Sequence, residues 1–123
     1  MVNGNILVVE DSDTERQAIV KVLTDHGFRA TMARNGDEAM AQIQQERPAL
    51  VLLDVVMPGP NGYQVCRKLK SDPTTRDIKV VIVTSKGLEA DRFWGFKQGA
   101  DDYVSKPFSP DNLVSTVRKQ LAS

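Results

Sequence analysis

Cysteine is nearly missing from this 123-residue chain: Cys66 stands alone. No internal disulfide can form, so the fold must be held by packing. Val65 and Leu69 flank Cys66 at helical spacing and place it on a buried face, as core and not as a reactive thiol. Net charge is also missing, because sixteen basic residues cancel sixteen acidic ones. No basic stripe with interleaved aromatics appears, which argues against nucleic acid as a direct ligand. Long apolar runs are absent as well. The longest are about a strand in length, short of the roughly twenty residues of a membrane helix. The amino terminus shows no signal-peptide pattern. These absences leave a cytoplasmic protein with no membrane partner as the expectation. The length suits one compact domain over 1–123 with a real core. Because the chain stops at Ser123, just after its last helical pattern, no output domain is expected.

What is present is an alternation of short apolar runs and helical stripes. Ile6, Leu7, Val8 and Val9 run into Glu10 and Asp11 before Ser12 opens a helix. Ser12 and Glu15 have the spacing of a capping box. Ile19, Val22 and Leu23 form one helical stripe that ends near His26 and Gly27, a glycine suited to a left-handed helix stop. Phe28 to Met32 reads as a second strand. Asn35-Gly36 turns the chain, Asp37 can cap a helix carrying Ala39, Met40 and Ile43, and Pro48 closes it. Ala49, Leu50, Val51, Leu52 and Leu53 end in Asp54, and a helix from about Gly62 to Lys70 buries Val65, Cys66 and Leu69. The stretch Ser71 to Asp77 is a polar loop. Val80 to Val83 forms a strand ending in Thr84 and Ser85, and a fourth helix passes through Phe93, Gly95 and Phe96. A short strand around Tyr103 and Val104 ends at Lys106-Pro107. Ser109 as cap and Pro110 at the first position open the last helix, which carries Leu113, Val117 and Leu121. Right-handed crossovers then imply an α/β fold, a five-stranded parallel sheet with helices on both faces.

Continuous apolar strands that end in a charge deliver that charge to the carboxyl edge of a parallel sheet, where such folds keep their chemistry. Here the strand ends supply Glu10 and Asp11, Asp54, Thr84 and Lys106. Each has a plain reading of its own: a helix cap, a solvated strand end, a β-branched strand residue, a surface lysine. Together, on one edge, they resemble a site for phosphoryl chemistry, which needs a nucleophile, charge neutralisation and positioning. Asp54 is the candidate nucleophile. Three crowded carboxylates repel one another unless a cation is present, and a hard divalent ion with oxygen ligands meets that need. Lys106 would pair with one phosphate oxygen and Thr84 would donate its hydroxyl to another.

The ordered set Glu10-Asp11, Asp54 with Met57-Pro58 and Asn61-Gly62, Thr84, Tyr103, and Lys106-Pro107-Phe108 resembles the receiver domain of response regulators of the single-domain chemotaxis type, along the whole chain. The resemblance implies the flavodoxin-like, doubly wound (βα)5 fold with strand order 2-1-3-4-5. It implies an aspartyl phosphate on Asp54, taken from a histidine kinase in two-component signalling and lost slowly by hydrolysis. It also implies magnesium, with manganese able to substitute, held by Asp11 and Asp54 directly, by Glu10 through water and by the backbone carbonyl of Val56. Pro107 becomes a candidate for a cis peptide bond. In the family, Thr84 moving toward the phosphoryl group would let an aromatic at Tyr103 favour an inward rotamer and alter the face of the fourth helix, fifth strand and fifth helix, which a downstream effector reads. Plain core packing is the alternative for Tyr103.

If Phe93 and Phe96 face the sheet with Gly95 allowing close packing, Trp94 points outward and offers a partner an anchor on that face, unless it folds over a neighbouring helix. The phrase Asp91-Arg92-Phe93-Trp94-Gly95 is similar to receivers of type IV pilus and twitching systems. Val56 and Lys86 are less typical, lie where hydrolytic water approaches in the family, and leave the phosphoryl lifetime and any phosphatase partner open. Two rivals stand beside this reading. A carboxylate phosphatase acting on small substrates is disfavoured, because its usual second aspartate is replaced by Val56. A receiver fold with an idle site, used as a scaffold or interaction module, runs against the completeness of the set Asp11, Asp54, Thr84 and Lys106.

Overall fold

A computed structural model describes residues 4–55, 61–85 and 96–123, with Thr84 described as backbone. Its elements are β1 (Ile6–Val9), α1 (Asp13–Asp25), β2 (Ala30–Ala33), α2 (Gly36–Gln45), β3 (Leu50–Leu53), α3 (Gly62–Ser71), β4 (Lys79–Thr84), β5 (Asp102–Ser105) and a carboxy-terminal helix, α4 (Pro110–Leu121). The strands form one sheet in the order β2-β1-β3-β4-β5, and every pairing is parallel. This is the expected doubly wound architecture. The expected fourth helix, with Phe93, Trp94 and Gly95, lies outside the described residues.

Alternation along the strands builds a core on each face. Leu7, Val9, Val51, Leu53, Val80 and Ile82 pack with Ala39 and Ile43 of α2 and Val65, Cys66 and Leu69 of α3. Ile6, Val8, Leu50, Leu52, Val81 and Val83 pack on the other face with Ile19 and Leu23 of α1 and Leu113 and Val117 of α4. Strands buried on both faces explain why their sequences read as continuous apolar runs.

Three local expectations shift. The second strand starts at Ala30, not Phe28, because Phe28 belongs to the stop signal of α1: Gly27 adopts φ 86°, its N–H bonds Thr24, and the Phe28 N–H reaches back to the Leu23 carbonyl. This pair of bonds is the Schellman arrangement, with Phe28 in the position that packs back on the helix. The cap of α2 is Asn35, whose side chain accepts from the Glu38 N–H at 2.9 Å, and Asp37 sits in the first turn. Ser12 caps α1 by accepting from the Glu15 N–H, but the Glu15 carboxylate goes to Lys106 and not back to Ser12. The reciprocal capping box forms instead at α3, between Asn61 and Gln64. Three other local readings hold. Ser109 caps α4 with Pro110 at its start, Lys106-Pro107 is cis, and Cys66 is buried.

Candidate functional site

The ladder sets the site's geometry before any side chain acts. Val9 lies beside Leu53 in register, and the Asp54 N–H donates to the Val9 carbonyl at 3.1 Å. Glu10 and Asp54 therefore leave adjacent strands side by side. On the other side of β3, Leu53 pairs with Ile82, and Thr84 pairs with Ser105, the residue before Lys106. In a parallel sheet all these ends fall on one edge.

Glu10 and Asp54 are buried, at 2% and 7% exposure, whereas Asp11 is exposed. One carboxylate oxygen from each lies within 4.8 Å of the others. Lys106 reaches into this group with three contacts, to Glu10 Oε1 at 2.5 Å, Glu15 Oε1 at 2.7 Å and Asp54 Oδ2 at 3.0 Å. A single ammonium thus faces the charge of four nearby carboxyl groups. Burial pushes the Glu10 carboxyl up to about 7 against the pull of Lys106, and Asp54 adds to the rise. Burial alone would lower the Lys106 ammonium, but its bonds to Glu10, Glu15 and Asp54 outweigh this and hold it protonated. The causes differ: burial leads for Glu10, whereas for Lys106 the carboxylate partners overcome burial.

The turn after β1 is held from α1. The Arg16 guanidinium, 7% exposed, donates to the Glu10 carbonyl at 2.9 Å and pairs with Asp13. The Ser12 N–H donates to the second Glu10 oxygen at 3.2 Å. Gly62, at the start of α3, sits directly against the backbone of Asp54 and Val55, too close for a Cβ. Sequence reasoning gives Arg16 and Glu15 no role in the site. The available signal is their spacing, since residues three and four after Ser12 begin the turn of α1 that overhangs the acidic pair.

The structure brings Glu10, Asp11, Asp54 and Lys106 together. Tyr103 is buried in the core on the α2 and α3 face, at 5% exposure. Phe96 is 43% exposed, so the premise that it faces the sheet does not hold, and the inference drawn from it for Trp94 loses that support. The expectations for the Val56 carbonyl, the Thr84 hydroxyl, Lys86 and Trp94 lie outside the described residues and side chains. A cleft of about 480 Å³ opens beside Lys106, walled by Glu15, Ala18, Ser85, Pro107 and Phe108. A larger one, about 730 Å³, runs between α2 and α3 past Met40 and Arg67 and lies apart from the acidic cluster. No helix among the described residues is long and apolar enough to cross a membrane.

Comparison with known proteins finds relatives along nearly the whole chain. The family model described as the response regulator receiver domain matches residues 6–118. Protein PilH of Pseudomonas aeruginosa is 44% identical over 119 residues, covering 97% of this chain and 98% of that protein. The phosphate regulon transcriptional regulatory protein PhoB of Escherichia coli is also 44% identical, over 92% of this chain, which spans 49% of PhoB's length. Among solved structures, a response regulator from Chloroflexus aurantiacus superposes with a TM-score of 0.94 at 34% identity, over 98% of both chains. Chemotaxis protein CheY4 of Vibrio cholerae does so with 0.88 at 27%, over 94% of this chain and 97% of that one.

Proposed function

The chain belongs to the response-regulator receiver family, and on that premise we propose that it is a phosphoacceptor switch of a two-component, chemotaxis-like pathway, with Asp54 as the acceptor. The observation that carries this reading is the Lys106 ammonium 3.0 Å from Asp54 Oδ2, at a sheet edge shared with Glu10 and Asp11.

The donor set fits a hard divalent cation. All three candidate ligands are carboxylates, they converge within 4.8 Å, and Asp11 opens the cluster to water. Magnesium takes few protein carboxylates, keeps several waters and accepts phosphate oxygens, so Asp11 and Asp54 would hold it directly and Glu10 through water. Manganese, with the same preference for oxygen, would substitute. Bound there, the ion supplies the positive charge that lets a phosphoryl oxygen approach Asp54. Three carboxylates crowded beside one ammonium are the need such an ion meets.

The residues divide the remaining work. An Asp54 oxygen attacks the phosphorus of a kinase phosphohistidine; the new P–O bond forms as the P–N bond breaks, and the imidazole leaves with the electron pair. Lys106 exchanges its bond to Asp54 for one to a phosphoryl oxygen, matching a point charge to a developing one. Thr84, at the end of β4 beside Ser105, would donate to another oxygen. Hydrolysis later adds water at phosphorus, releases inorganic phosphate and restores the carboxylate. The chain is a switch with self-phosphorylation and autodephosphorylation only, not an enzyme acting on a separate substrate.

The readout runs through Tyr103 and its neighbours to an effector protein. A phosphoryl group at Asp54 would favour an inward rotamer of Tyr103, a residue the fold buries. The identity to PilH along nearly all of both chains favours the pilus-motility branch. Acetyl phosphate with magnesium, followed by intact mass, tests the reading. A gain of one phosphoryl group, lost in Asp54→Asn, supports it. No gain with acetyl phosphate or with a phosphorylated kinase makes the fold an idle interaction module.

A further inference from the structure

Lys106 is hemmed in by carboxylates. Its ammonium donates to Glu10 Oε1 at 2.5 Å and to Asp54 Oδ2 at 3.0 Å, and Glu15 Oε1 stands 2.7 Å away as a third, ion-pair partner. A phosphoryl oxygen arriving at Asp54 must approach this ammonium, so one carboxylate must give way. The three partners are not equally free to leave. Glu10 is buried at 2% exposure and its other oxygen is held by the Ser12 N–H. Asp54 is the acceptor itself and stays within the site. The Glu15 side chain is 50% exposed and stands on the first turn of α1, where its backbone N–H is tethered to Ser12 Oγ. It can swing into water by side-chain rotation alone.

Resting on the phosphoacceptor reading above, we infer that Glu15 is a positioning residue that occupies Lys106 in the resting state and is displaced by the incoming phosphoryl group. The arrangement follows from local sequence. Ser12 fixes the start of α1, Glu15 falls in its first turn, and the capping-box return to Ser12 is forgone for Lys106. Ser12's own N–H has already gone to Glu10. Glu15 also forms one wall of the cleft beside Lys106. Its departure therefore opens that cleft at the moment Lys106 turns to the phosphoryl oxygen. Two effects follow. Lys106 is held close to Asp54 and ready before a donor binds, and the rate of phosphoryl uptake includes the cost of breaking the Glu15 pair.

The test is the rate of mass gain from acetyl phosphate with saturating magnesium, in which an Asp54 oxygen bonds to phosphorus and acetate leaves with the electron pair. Wild type, Glu15→Gln, Lys106→Ala and the double variant are compared. Glu15→Gln is expected to speed uptake about fivefold, the scale of a partly exposed ion pair. The increase should vanish in the Lys106→Ala background. An acceleration that persists there would reflect general charge repulsion of the donor and would overturn the inference, as would a rate in Glu15→Gln equal to or below wild type. Losing the same pair should lower the melting temperature of Glu15→Gln by a few degrees, and such a loss with no gain in uptake would mark a purely structural role and overturn the inference. If wild type itself gains no mass, the phosphoacceptor reading fails and takes this inference with it. Mass gain in wild type with an unresponsive Glu15→Gln overturns the Glu15 role alone.

Discussion

Replacing Gly62 by alanine should both destabilise the fold and slow phosphoryl uptake. Gly62 is the first residue of α3, and its N–H donates to the Val55 carbonyl at 3.3 Å. An added Cβ would stand 2.6 Å from Val55 Cα and 2.8 Å from the Asp54 carbonyl carbon, and closer still to the Asp54 carbonyl oxygen. All three are backbone atoms of the strand end that bears the acceptor, so no side chain can move aside. Ordinary carbon contacts need about 3.5 Å, so α3 must retreat from β3 by roughly 1 Å. Overpacking of this kind costs about 3 kcal/mol at the upper end of its range. The better helix propensity of alanine offsets up to about 1 kcal/mol, leaving about 2 kcal/mol. For a domain of this size that lowers the melting temperature by about 8 °C. The same retreat displaces Asp54 relative to Lys106, and a misplacement near 1 Å can cost about a hundredfold in rate. Thermal melting and acetyl phosphate uptake measure the two effects on one sample. A variant that melts at or above the wild-type temperature, as propensity alone would dictate, and takes up phosphoryl normally would refute the claim that α3 is seated on the Asp54 backbone.

Gly27 provides the contrast, since its φ of 86° strains any side chain but no atom lies within 4 Å of a Cβ there. Gly27→Ala should cost about 1 kcal/mol in urea unfolding with normal uptake, and Gly27→Asn less; a loss of uptake would contradict it. Glu10 makes stability depend on pH. Its carboxyl rises from an ordinary value of 4.5 to about 7 in the fold, so the folded protein binds that proton more tightly than the unfolded chain. Stability in EDTA should then fall as pH rises from about 4.5 to 7 and level off above, by at most on the order of 3 kcal/mol, and magnesium should flatten the slope. Glu38 and Asp72 are lowered by hydrogen bonds from Arg34 and Thr74 and act below that window. Urea midpoints that climb across pH 5 to 7 in EDTA would count against the crowded-carboxylate account. Burial pushes the Cys66 thiol up to about 11, leaving about one thousandth as thiolate at pH 8. Its reaction with a disulfide reagent should follow global unfolding, and rapid labelling of the native protein would contradict its place in the core.

Much of the fold is legible in the chain because buried parallel strands write themselves as continuous apolar runs. Leu50 to Leu53 and Val80 to Val83 announce both their burial and the edge to which they carry Asp54 and Thr84. Strand ends then bring Glu10, Asp54 and Lys106 together whatever the details of the loops. Phe28 is harder to place, since an aromatic beside Gly27 suits a strand start as well as a helix stop; the bond from its N–H to Leu23 decides between them. Glu15 illustrates the main limit. Its spacing from Ser12 fits a capping box, and only three dimensions show Lys106, ninety-one positions away, taking its carboxylate. Spacing with Phe93 points Phe96 inward, yet it is exposed, because a stripe of two residues does not define a helix face.

The central claim, an acyl phosphate on Asp54, is tested most directly by mapping it. After incubation with acetyl phosphate and magnesium, borohydride reduction converts an aspartyl phosphate to homoserine, which peptide mass spectrometry locates. The account predicts homoserine at position 54 and nowhere else, dependent on magnesium. A phosphoryl group recovered at another residue, or homoserine at Asp11 in place of Asp54, would contradict it.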